Sequence, residues 1–164
     1  MPAIDIKAYK MKLILDIINS ETIVKGLDSK KPNVYSPEDL LMKNIFPYLH
    51  VNFIETVADS YILIGVDQAN INSRNPTFAD LRITIWVMSH VNHQIMAVGD
   101  IAAARNDYVA EEISKVLDGN MNYGYGVLEL VASRENILNE DYQYRELIFH
   151  TVDFTTRADS KIRR

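Results

Sequence analysis

The residues able to do chemistry in this chain form a short list. "HVNH" puts His90 and His93 three apart, a spacing that would bring two imidazoles onto one metal ion if the segment were helical. No carboxylate stands beside them in an H-E-x-x-H setting and the chain has no cysteine, so the pair reads as a polar loop between a strand and a helix. Carboxylates are paired as Glu111 with Glu112 and as Glu140 with Asp141. Neighbours on a helix point about 100° apart, so the first pair reads as a solvated helix edge and not as an acid and a base facing across a substrate. The second pair reads as part of a turn. "YGYG", residues 123–126, lacks the helix start and lysine that a phosphate cradle needs, and Gly124 and Gly126 are better explained by a tight or mobile loop. With no G-x-S-x-G, Walker or dinucleotide fingerprint either, the expectation is a protein that is not an enzyme, with no catalytic residue, no metal and no cofactor.

More is said by the charges set into apolar strands. Arg82 opens a strand just after Asp80, Arg145 opens another, and Arg105 and Asp107 flank the start of a helix. Trp86, Tyr142 and Tyr144 lie near these cations. Arginine makes paired hydrogen bonds to carboxylates and stacks on rings, which suits subunit contacts. Ordinary surface arginines at strand ends would look the same in the sequence.

These residues need elements to place them. Tyr9, Leu13, Ile14, Ile17 and Ile18 recur at helical spacing, predicting an amphipathic helix over 7–19 that ends by Gly26. "SPEDLLMKNIF" predicts a second helix over 36–46, with Ser36 as cap, Pro37 in the first turn and Pro47 as the stop. Strands are expected over 50–57 and 61–66, then turn residues Asn72, Ser73, Asn75 and Pro76. Leu81, Ile83, Ile85 and Val87 alternate with Arg82, Thr84, Trp86 and Met88 in the clearest strand. A long helix follows over 100–119, with Asp100 as cap and Gly119 as stop. The chain closes with strands at 127–133 and in "DYQYRELIFHTVDF", residues 141–154. The predicted fold class is α+β: N-terminal helices and one long helix packed on a mixed, mainly antiparallel sheet, in a single domain over 1–156 with a basic tail over 157–164.

The last strand poses a packing problem. Leu147, Phe149 and Thr151 fall on one face; Ile148, Val152 and Phe154 fall on the other. A strand with one wet face would carry polar residues there, so this one needs cover on both sides.

Bulk composition limits the partners. The chain has 164 residues, 48% of them hydrophobic, a length that suits one core. No apolar run approaches the ~18 residues of a membrane span, and residues 1–12, with Asp5, Lys7, Lys10 and Lys12, do not read as a secretory signal, so an intracellular protein is expected. The absence of cysteine fits a reducing compartment. A net charge of −5 argues against a body-wide nucleic-acid surface. The tail "RADSKIRR" could reach phosphate or an acidic partner, though a frayed terminus explains it as well.

The order "LRITIWV", "YVAEEISKVLDG", "VLELVASRE", "YRELIFHTVDF" resembles the tail-completion and tail-terminator proteins of tailed bacteriophages, the small subunits of the head-to-tail neck. The likeness runs over about residues 61–154. It implies a non-enzymatic virion subunit forming a homo-oligomeric ring, commonly a hexameric ring, that terminates the tail or joins it to the head connector. The implied partners are other copies of itself, a portal-side neck protein and the tail tube protein, with DNA passing through the lumen without specific binding and no membrane involved. The implied location is the virion neck or tail, after assembly in the host cytoplasm. The subunit interface would then draw on Asp80, Arg82, Trp86, Arg105, Asp107, Tyr142, Tyr144, Arg145, Ile148 and Val152, and the second face of the last strand would be covered by a neighbouring copy. The competing function is an enzymatic or small-ligand-binding α+β domain with a pocket between the long helix and the sheet, near Tyr108 and His90.

Overall fold

The computed structural model describes residues 4–49, 57–71 and 78–154. Most of the strand expected over 50–57, the turn residues at 72–77 and the basic tail over 157–164 lie outside them. Helix α1 spans Ile6–Ile18; Asp5 caps it by accepting a hydrogen bond from the Ala8 amide at 3.1 Å. A second helix, α2 (Glu21–Leu27), follows at once. The sequence does not predict it, because Gly26 reads as a helix terminator. Gly26 instead lets two helices touch: a Cβ there would lie 2.9 Å from Val109 Cγ2 and 3.1 Å from the Tyr108 ring.

The helix expected over 36–46 is reduced to a 3-10 turn, Pro37–Leu40. Its start signal works, because the Asp39 carboxylate accepts from the amides of Tyr35 and Ser36, both at 2.9 Å. Those bonds hold Asp39 below the usual carboxylate range. The chain then turns extended at Leu41, and β1 (Ile45–Phe46) pairs in parallel with β2 (Ser60–Ile71), so sheet pairing overrides helix propensity.

Strand β3 (Phe78–His90) leads through a second 3-10 turn, Val91–His93, into a hairpin of β4 (Ile95–Val98) and β5 (Ile101–Ala104). The long helix therefore starts later than expected, as α3 (Arg105–Leu117), and Asp100 sits at the hairpin turn rather than at a cap. Helix α3 ends before Gly119, as expected. Strands β6 (Glu129–Ile137) and β7 (Tyr142–Phe154) complete a five-stranded sheet of order β1-β2-β3-β7-β6, antiparallel except at β1. The predicted α+β fold is the one observed.

Register fixes which side each strand residue takes. Ile62, Ile64, Val66, Leu81, Ile83, Ile85, Val87, Leu147 and Phe149 share one face and form the main core with Leu13, Ile14 and Ile17 of α1, Ile23 and Leu27 of α2, and Val109, Ile113 and Leu117 of α3. The opposite face carries a smaller cluster, Tyr61, Leu63, Met88 and Tyr142, with Phe46, Leu49, Trp86 and Tyr144 against it. Helices α1, α2 and α3 thus all serve one side of the sheet.

Candidate interaction surface

The helix-free face has two halves. Near the start of β7 it is aromatic. Trp86 stacks on Tyr144 with ring centroids 4.8 Å apart and donates its indole N–H to Glu146 at 3.1 Å. Tyr142 meets Tyr61 at 6.1 Å and the edge of His90 at 5.0 Å. Toward the other end it is charged. Cross-strand pairing sets Arg82 between Asp67 and His150, and Asp80 opposite Val152. Asp80 lies 3.7 Å from His150. Here an open cleft of about 460 Å³ is lined by Asp80, Arg82, Val131, Arg134, Ile148 and His150, among others. Its lining mixes apolar and charged side chains. Among the described residues, neither Arg82 nor Arg134 has a hydrogen-bonded or ion-paired carboxylate.

The ten residues expected at a subunit contact divide between the two sides of the sheet. Asp80, Arg82, Trp86, Tyr142, Tyr144, Ile148 and Val152 share the helix-free face, where Tyr142 and Ile148 are buried within the chain and the other five keep some exposed surface. Asp107 and Arg145 lie on the helix side, paired with each other across α3 and β7 at 2.6 Å. Arg105 is corrected outright. It is 6% exposed within its own chain, because its Nη1 donates to Gly26 O at 2.6 Å and its Nε to His93 O at 2.7 Å. Burial lowers its pKa, opposed by the charges of Asp28 and Asp59. It ties the end of α2 to the start of α3 and is out of reach of a neighbour.

The last strand's second face is partly sheltered within the chain. Ile148 is 6% exposed, and Phe154 packs on Phe78 and Tyr125, each at 4.8 Å. Val152 and Phe154 are half-buried. The sequence reading overlooked Arg134, Glu146 and His150, whose place on this surface follows from register pairing across β3, β7 and β6 and leaves no motif.

His90 and His93 do not converge. His90 accepts from the Asn92 amide at 3.0 Å, while buried His93 sits 3.2 Å from Leu27 O and 3.8 Å from Asp59. Since Leu27 O can only accept, His93 carries its proton on Nε2 in that contact. Asp59 is itself taken by the Ser60 and Lys30 amides, at 2.8 and 3.1 Å, so this buried group is a structural knot. A recess of about 310 Å³ does lie between α3 and the sheet, yet its lining is Asp107, Glu111, Ser114, Ser133, Arg145 and neighbours, not Tyr108 or His90. Tyr108 faces α2 at Gly26 instead. Among the described residues no helix is long and apolar enough to cross a membrane, and no group of three or more His, Asp or Glu side chains is placed to hold a metal ion.

Fold and surface together define a class: a one-sided α+β domain, with helices on one face of its sheet and an aromatic and charged surface on the other. The chain belongs to the YomW family, whose sequence profile matches residues 9–151. The family name is phage-derived, which links the chain to bacteriophage proteins at that coarse level. No curated protein matches the chain.

Proposed function

We propose that this protein is a non-enzymatic structural subunit of a phage virion neck, forming a homo-oligomeric ring, hexameric by resemblance, that terminates the tail or joins it to the head connector. The observation that carries the reading is the second face of the sheet. Five of the residues expected at a contact, Asp80, Arg82, Trp86, Tyr144 and Val152, keep exposed surface there, and among the described residues no helix packs on it and neither Arg82 nor Arg134 has an ion-paired carboxylate. A surface of that kind suits burial against another copy, and closed symmetry repeats each contact around the ring. A standard contact buries roughly 1,600 Å² in total, enough to hold a ring without any single strong bond. The net charge of −5 suits a lumen through which DNA passes without being gripped.

Size-exclusion chromatography with light scattering and electron microscopy of assembled particles test the reading. Rings, and density for this chain between connector and tail tube, are the expected result. Trp86→Ala should weaken association by more than its effect on subunit melting. A chain that stays monomeric at high concentration and is absent from the neck of purified virions would overturn the proposal.

A further inference from the structure

The β4–β5 hairpin stands apart from the rest of the fold. It forms its own two-stranded sheet, and beyond its own ladder its main contacts are with the Val91–His93 turn and with α3, the elements at either end of it. Its sequence, IMAVGDIAAA, has one charge, Asp100, next to Gly99 at the turn. Ile95 is 78% exposed and Ile101 73%, with Val98 at 40%. A lone two-stranded hairpin is marginal in water, and large aliphatic side chains this exposed on one arm lose free energy to solvent until something covers them.

The helix-free face offers a complementary seat. The cleft bounded by β3, β7 and edge strand β6 has Val131, Ala132 and Ile148 in its lining and Arg82 and Arg134 among its charges, and Val131 is 57% exposed. Resting on the ring proposed above, we infer that the β4–β5 arm of one copy docks in this cleft of the next. Ile95 and Ile101 meet its apolar lining at Val131, Ala132 and Ile148, and Asp100 meets Arg82 or Arg134. The charge match selects a second copy as occupant: a mostly neutral arm with an acidic tip faces a cleft in which Arg82 and Arg134 outnumber Asp80 and, among the described residues, have no ion-paired carboxylate. Strands of four residues reach roughly 13 Å at about 3.3 Å per residue, enough to span a neighbour's cleft. Arm and cleft are different surfaces, so the contact is head-to-tail, the kind that closes into a ring.

The absence of native cysteine makes the test direct. Full-length Val98→Cys and full-length Ala132→Cys proteins are mixed under a mild oxidant, with Leu15→Cys, on the exposed side of α1, replacing either partner as control. A mixed disulfide dimer well above the control is expected. Ile95→Ser combined with Ile101→Ser should weaken self-association on the order of a hundredfold, with circular dichroism and melting unchanged because the replaced groups are exposed. Asp100→Arg alone and Arg134→Glu alone should each weaken it by roughly fivefold, and an equimolar mixture of the two variants should regain part of the loss at their shared contact. If the wild type forms rings but neither the cross-link nor the isoleucine effect appears, the arm–cleft contact is wrong and the ring stands. If the wild type remains monomeric throughout, both fall.

Discussion

Two tyrosine hydroxyls on the helix side of the sheet join elements far apart in the chain: Tyr9 donates to Asp153 and Tyr123 to Asp16. Burial, reinforced by those carboxylates, raises both phenol pKa values far above the ordinary value of 10.0. A folded-state pKa raised above the unfolded one gives stability that is complete below the unfolded value and is lost as pH climbs toward the folded one. Stability should therefore fall as pH rises beyond about 10, where unfolded tyrosines begin to ionise, and Tyr9→Phe with Tyr123→Phe should flatten that fall. Melting temperatures between pH 9 and 11, read for both proteins, check it; parallel curves would count against the assignment. At Gly124 the constraint is steric. Its φ is +74°, and a Cβ would lie 2.5 Å from Val152 O. Gly124→Ala is expected to cost about 2–3 kcal/mol in denaturant melts. Of the tight or mobile loop that "YGYG" suggests, Gly124 takes the tight form, but the backbone of β7 that makes it tight is 28 residues away in the chain, between 124 and 152, and no local pattern reveals it.

Among elements, α2, the Val91–His93 turn and the start of α3 are joined by Arg105. Arg105→Ala would leave two buried carbonyls without donors and should cost on the order of 3 kcal/mol, read as a shift in urea midpoint. Arg145 is different in kind. Its ion pair with Asp107 is 23% and 45% exposed, so Arg145→Glu, which sets two carboxylates together, is expected to cost only about 1 kcal/mol. A loss as large as that for Arg105 would show that the pair is more than a rim contact. Both arginines look alike in the sequence, each opening an element beside acids and aromatics. They part company because helix packing buries Arg105 at the start of α3, while Arg145, on the interior strand β7, stays partly exposed beside α3. The same contest explains the misplaced helices: Ser36-Pro37 is a good start signal, but pairing of Ile45 and Phe46 with β2 takes the residues that would have continued the helix. Likewise Ile101–Ala104 pairs with Ile95–Val98 before α3 can begin.

At the scale of the molecule, the one-sided sheet is the basis of the proposed ring, and the acidic balance sets its behaviour toward DNA. We expect duplex DNA to bind weakly even at low salt, measured by fluorescence anisotropy, since a net charge of −5 repels a phosphate backbone. Tight binding with a steep salt dependence that vanishes on deletion of residues 157–164 would instead assign the basic tail a nucleic-acid role.

Alternation and composition by themselves settled the fold class, the register faces of β3 and β7, and the apolar stripe of α1. Each of these depends on a period, and a period is local. Only the tertiary structure decided that Asp80, Arg82, Arg134 and His150 surround one cleft, that Arg105 is internal, and that residues 95–104 leave the body as an apolar hairpin. Those outcomes depend on which strands pair and which backbones come close across many residues of chain. That is a competition between long-range contacts, and no short stretch of sequence carries its result.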